Sequence, residues 1–200
     1  MTALIFFGTI IAIVVFLVRL IMKVVKHKNI ASTFKTLVII VLSYLVLWGI
    51  FYFISSDKIV PFGTDICFDD WCATVTKFER PKTLGKENQE LNPHGQFIIL
   101  NIKMSNQARG IAQKPSEPRV HIVDEKGNSY SFSPEGQQAL EKQIGNQIPI
   151  DERLELHQSL ETQVVFDIPK DARYLKVLIE EGPFITKLLL NENKEVFLIP

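Results

Sequence analysis

The sequence predicts two N-terminal transmembrane α-helices followed by a mainly β, antiparallel sandwich with one short crossover helix. Three observations carry that prediction: two long apolar runs near the N-terminus, a segregated charge distribution, and a later series of short strand patterns separated by turns. Lys+Arg and Asp+Glu each number 22 in the 200 residues, so the chain is formally neutral. Residues 1–60 nevertheless hold six basic and one acidic side chain, while residues 61–200 hold 16 and 21. The first part is thus +5 and almost continuously apolar, and the second is −5. Such a split excludes a single globular domain. The acidic second part also excludes a nucleic-acid binder built on a basic domain, and its content of Val, Ile, Leu and Phe opposes disorder.

Residues 1–60 form a membrane hairpin. Ala3 to Val18 is sixteen residues without a charge, and Leu20, Ile21 and Met22 extend the run past Arg19. About 20 residues at about 1.5 Å each cross a hydrocarbon core, so a helix over about 3–22 just spans, with Arg19 reaching back to a headgroup. Thr36 to Ser56 gives twenty-one further uncharged residues. Their length excludes a strand and predicts a second helix over about 36–56. Tyr52 and Phe53 stand where an aromatic belt is expected. Arg19, Lys23, Lys26, Lys28 and Lys35 lie in or beside the connection 23–35. Basic residues in short loops stay on the cytoplasmic side, so these five determine the topology and both chain ends face outward. A cleavable signal peptide fits poorly, because no basic region precedes the first run and no small-x-small site follows it. Gly8 and Ala12 form a small-xxx-small pair, which is common in helices that face lipid and does not by itself imply close packing.

Ser55 to Pro61 reads as a short tether, and residues 61–200 as an extracytoplasmic domain. Strand patterns occur at Phe62–Phe68, Trp71–Phe78, Phe97–Met104, Val120–Val123, Ser129–Phe132, Thr162–Ile168, Tyr174–Ile179, Phe184–Leu190 and Val196–Ile199. Gly127 suits the left-handed position of a turn at Asp124–Asn128, and Asn191–Lys194 reads as another turn. Short strands joined by turns favour an antiparallel sandwich. Ser133, Pro134 and Glu135 open one helix, over Gln137–Gln143, as cap, first-turn proline and first-turn acid. It is expected to cross between sheets. Residues 80–94, with two prolines and Gly85, read as a long surface loop.

Three features occur in order: an apolar strand ending in polar alternation (Gln96–Asn106), an Asp-x-x-Gly hairpin with a following aromatic (Asp124 to Tyr130), and a strand running into proline (Val164–Pro169). In these, residues 62–200 resemble the telokin-like, immunoglobulin-like domains of unknown function found in exported and membrane-attached bacterial proteins. The resemblance implies a β-sandwich outside the cytoplasm with a binding or interaction role. It offers no catalytic residues to carry over, and two preceding spans depart from its usual lipid anchor or single span.

Cys67 and Cys72 are the only cysteines. Their C-x4-C spacing matches neither a C-x-x-C redox motif nor a zinc knuckle. If Phe68–Trp71 is a four-residue hairpin loop, the two cysteines oppose each other within disulfide range. In one extended strand they would lie about 16 Å apart. Asp69-Asp70 favours the turn and an outside location favours oxidation, so a structural disulfide is expected. Trp71 and Phe68 read as core residues or a cover for that bridge. His94, His121 and His157 are scattered, and His121 is expected to project into solvent. Asp65, Asp69 and Asp70 lack the D-x-D-x-D-G pattern with its distal Glu, and turn formation accounts for them. Glu180-Glu181 and Asp151-Glu152 read as solvated turns. No metal, cofactor or catalytic residue is expected, since no G-x-S-x-G elbow, phosphate loop or H-E-x-x-H motif is present.

The reading is therefore a non-catalytic, multi-pass protein of the cell (plasma or inner) membrane, with the lipid bilayer and an envelope protein as partners and no nucleic acid. The alternative is a thiol-disulfide-dependent envelope factor acting through Cys67 and Cys72. A hydrolase would need a convergent acid–base site.

Overall fold

The computed structural model describes residues 2–27, 29–54, 57–86, 89–182 and 195–200. These form two compact units, one helical and one mainly β.

In the helical unit α1 spans Thr2–Val25 and α2 spans Ala31–Ile54. Each has 24 residues, about 36 Å of helix against a hydrocarbon core of about 30 Å. Both are long and apolar enough to cross a membrane. The connection is shorter than the expected 23–35. The Asn29 side chain accepts from the Ala31 amide (2.9 Å), and the Phe34 amide bonds the Ile30 carbonyl (2.9 Å), so α2 starts before Lys35. A charge excludes a residue from the hydrocarbon core; it does not stop a helix. Lys23 consequently sits in the last turn of α1, Lys35 lies within α2, and Lys28 lies outside the described residues. So do the side chains of Tyr52 and Phe53. A Cβ placed on Gly8 would meet nothing within 4 Å, so no close helix approach occurs there.

The β unit is a two-layer sandwich. Its strands are β1 (Lys58–Val60), β2 (Ile66–Phe68), β3 (Trp71–Glu79), β4 (Gln96–Asn106), β5 (Arg119–Val123), β6 (Ser129–Tyr130), β7 (Ser159–Ile168), β8 (Leu175–Glu180) and β9 (Glu195–Ile199). Among the described residues one sheet runs β1-β9-β8-β5-β6 and the other β2-β3-β4-β7. Every pairing is antiparallel except β1 with β9, which is parallel. β1 falls within the segment expected to be a tether: Lys58, Ile59 and Val60 pair with Glu195, Val196 and Phe197. The expected strand Phe184–Leu190 and turn Asn191–Lys194 lie outside the described residues.

Alternation builds the core. Ile98, Leu100, Ile102 and Met104 of β4 are all 0–1% exposed and face the second sheet, where Val177 and Phe197 are equally buried. A bulge at Thr76 shifts the β3 register between Val75 and Lys77, so Val75 and then Phe78 point inward three residues apart. The helix α3 (Pro134–Ile144) follows β6 of one sheet and precedes β7 of the other, the expected crossover. Ser133 caps it, accepting from the Gly136 amide at 3.1 Å. α3 lays Ala139 and Leu140 on the outer face of the four-stranded sheet, against Phe97, Ile99 and Val165. That cover explains why β4 begins Phe97-Ile98-Ile99-Leu100 without alternation and ends with Asn101 and Lys103 facing out. Within the segment 80–94, expected as a surface loop, Leu84 and Leu91 contribute to the cover: Leu84 bridges to Leu91 and is 3% exposed.

Candidate functional site

The first hairpin brings the cysteines together. Cys67 and Cys72 are register partners and form a disulfide with Cα atoms 4.0 Å apart. The connection is tighter than a four-residue loop. Phe68 pairs with Trp71, leaving only Asp69 and Asp70 in the turn, with Asp69 at φ +53°. Because neighbours along a strand point to opposite faces, the bridge and the aromatic pair are separated by the sheet. Trp71 is in the core, stacked on Phe68 at 5.8 Å, whereas Cys72 is buried on the other face beside an exposed Cys67. The aromatics thus anchor the hairpin without covering the disulfide. The indole N–H of Trp71 is buried and finds no acceptor among the described residues.

Asp65, Asp69 and Asp70 are exposed. The Asp70 carbonyl accepts from the Gln107 amide at 2.7 Å, a use in holding loops. No group of metal-ligating side chains assembles among the described residues. The histidines stay apart. His157 sits in an exposed turn at φ +58°. His121 faces away from the core, as its alternation with Val120 and Ile122 indicates; it pairs with Leu178 of the middle strand β8 and is half-buried. The acidic pairs are also less free than expected. Glu181 accepts from the Ser116 amide at 2.6 Å, and Asp151 lies 3.5 Å from the Lys114 ammonium.

Two polar arrangements stand apart from the cysteine hairpin, the first of them local and indicated by the Asp-x-x-Gly pattern. Asp124, 6% exposed, organises the β5–β6 turn. One carboxylate oxygen accepts from the amides of Lys126 and Asn128 (both 2.9 Å), the other from the Asn128 side chain (2.8 Å) and the Tyr130 hydroxyl (2.9 Å). Burial alone would push its pKa up, but these bonds from Asn128, Tyr130 and Lys126 together hold it below the ordinary carboxylate value. Tyr130 is pushed up, by burial first and then by the Asp124 carboxylate.

The second is a surface cleft of about 760 Å³ built from three separate segments: His94-Gly95, Ser131–Glu135 and Asp167–Lys170. Asp167 organises it, accepting from the amides of His94 (2.8 Å) and Gly95 (3.0 Å), with the His94 Nδ1 at 3.1 Å. A Cβ on Gly95 would collide with the Ile168 carbonyl, so the approach requires glycine. Phe132, 55% exposed, offers an apolar surface in a lining that also contains Glu135 and Lys170, of opposite charge. The Asp167 carboxylate is committed to the His94 and Gly95 amides and the Ser133 hydroxyl to capping α3, while Glu135 and Lys170 also line the cleft. The Pro93-His94-Gly95, Phe132-Ser133-Pro134 and Asp167-Ile168-Pro169 triplets are plain in the sequence, but nothing local indicates that they meet.

A family profile described as "Domain of unknown function (DUF4352)" matches residues 63–188. No curated protein matches the chain significantly. Among solved structures, a conserved hypothetical protein from Bacillus anthracis is similar at TM-score 0.50 and 20% identity, covering 70% of this chain and 95% of its own. That likeness concerns the fold alone. The yjhA protein from Bacillus subtilis gives TM-score 0.48 at 11% identity over 70% of this chain and 98% of its own. An uncharacterized beta-sandwich protein from Clostridium difficile gives 0.46 at 14% identity over 73% and 96%.

Proposed function

We propose, since this chain belongs to the DUF4352 family of domains of unknown function, that it is a two-span protein of the cell membrane displaying an immunoglobulin-like, telokin-like sandwich outside the cytoplasm, where the sandwich binds an envelope protein. The observation that carries this reading is the helical pair. Two apolar helices of 24 residues each precede the sandwich, and their short connection is flanked by basic side chains. Positive charge in short loops is retained on the cytoplasmic side, which puts the sandwich on the other. The disulfide suits an oxidising compartment, and the acidic sandwich disfavours nucleic acid. Phe132 and the cleft around it are the contact surface this reading assigns to the partner.

A reporter active only after export tests the reading. Fused after Pro200 it should be active, and fused after Lys28 it should be silent; the reverse pattern would overturn the orientation. In-cell crosslinking from position 132 should then capture a discrete envelope protein, and Phe132→Asp should abolish capture. Thiol–disulfide exchange is the competing reading, favoured only by the exposure of Cys67. It requires function to fail in the Cys67→Ser/Cys72→Ser variant while fold and abundance persist.

A further inference from the structure

We infer that the loop end of the helical hairpin is a binding site for the phosphate of an anionic phospholipid headgroup. A cavity of about 410 Å³ opens between α1 and α2 there. Arg19, Lys23 and Lys26 of one side line it together with Ser32, Thr33 and Thr36 of the other. Three cations thus converge on three hydroxyl-bearing residues.

The charge balance points to a ligand. No Asp or Glu occurs before Asp57, so neither α1, α2 nor their connection supplies a residue able to neutralise these cations. Among the described residues none of the three makes an ion pair. Other contacts hold Lys23 and Arg19 in place. Lys23 donates to the buried Thr33 hydroxyl at 2.6 Å, tying α1 to α2. The Arg19 guanidinium lies 5.5 Å from the Phe16 ring centroid, a packing that fixes its stem while leaving its donors available. A phosphodiester fits this environment better than a carboxylate, because its oxygens can accept from a guanidinium, two ammonium groups and hydroxyls at once. At the first turn of α2 the helix dipole adds positive potential of the same sense. Basic pockets between spanning helices on the cytoplasmic side are where such headgroups bind.

The inference rests on reading α1 and α2 as membrane spans. It can fail separately from the orientation, because binding in detergent does not depend on which way the hairpin inserts. The test is native mass spectrometry of the full chain in neutral detergent, titrated with phosphatidylglycerol or phosphatidylcholine. Phosphatidylglycerol should be retained at one molecule per chain and phosphatidylcholine should not. Arg19→Gln, Lys23→Gln and Lys26→Gln should each weaken retention about fivefold. Lys35→Gln, a cation of the same unit outside the cavity, should change it less than twofold. Helicity by circular dichroism monitors folding, and Lys23→Arg should keep the preference even where Lys23→Gln disturbs the hairpin. Equal retention of both lipids would overturn the inference. So would an effect of Lys35→Gln as large as that of Lys23→Gln, which would mean a diffuse basic surface. Displacement of the lipid by inorganic phosphate at equal concentration would overturn the lipid assignment, since the site would then take its phosphate from solution.

Discussion

Cys67 and Cys72 stand directly opposite each other on the outer face of the four-stranded sheet, while Phe68 and Trp71, one residue inward along each strand, stack on its core face. The hairpin is therefore held twice, by a covalent bond on one side and by aromatic packing on the other. Replacing both cysteines with serine should lower stability by about 2 kcal/mol, since opening so small a loop returns only a little entropy to the unfolded chain. The fold should persist. Urea denaturation of the oxidised and serine forms checks this, and a variant that fails to fold would show that the aromatic anchor cannot hold the hairpin alone.

Trp71 carries the converse expectation. Its ring is 3% exposed and its buried N–H has no acceptor among the described residues. An unpaired buried donor costs stability, so Trp71→Phe removes a penalty along with some volume. Its net cost should stay below about 1 kcal/mol, whereas Trp71→Ala should cost about 3–5 kcal/mol. Measured unfolding free energies of the two variants test the difference. A cost near that of alanine for the phenylalanine variant would mean that the indole N–H is bonded.

Elements written in local pattern were legible in the sequence. β4, the Gly127 turn and the Ser133-Pro134 helix start each depend on residues close together in the chain, and each appears where its residues indicate. What escaped depends on distant partners. Lys58–Val60 is three residues long and becomes a strand only because Glu195–Phe197 lies beside it. The bulge at Thr76 follows from fitting both Val75 and Phe78 into one core. The cleft collects residues 94–95, 131–135 and 167–170, and no spacing in one segment announces the other two. Cys67 and Cys72 show the boundary case: their proximity was readable from Asp69-Asp70, but the face they occupy required Trp71 to be placed in the core.

Asp124 predicts an acid limb in the stability of the sandwich. Its folded pKa lies below the ordinary carboxylate value because Asn128, Tyr130 and Lys126 donate to it, against the upward push of burial. A group depressed on folding contributes stability above its unfolded pKa, about 3.9, and loses it as pH falls through the folded value. The gap in stability between the wild type and Asp124→Asn should accordingly be full at neutral pH and shrink below about pH 4. Tyr130 acts in the opposite sense. Its raised pKa leaves its contribution intact below about pH 10 and lost above. Denaturation curves across pH decide; a gap independent of pH would refute the role given to the carboxylate.

His94 and Asp167 look like an ion pair, but the geometry assigns their energies unequally. The His94 side chain is 89% exposed and that of Asp167 only 12%. An exposed pair of this kind is worth about 0–1 kcal/mol. Asp167 also accepts from the backbone amides of His94 and Gly95 at 2.8 and 3.0 Å, and those bonds survive when the imidazole is removed. His94→Ala should therefore cost no more than about 0.5 kcal/mol. Asp167→Ala leaves both amides without their acceptor and should cost about 1–3 kcal/mol. Asp167→Asn, which keeps one acceptor oxygen but not the charge, should fall between them. Urea unfolding of the three variants tests the order. If His94→Ala costs as much as Asp167→Ala, the side-chain pair and not the backbone carries the interaction, and the cleft would then hold a histidine positioned for more than contact.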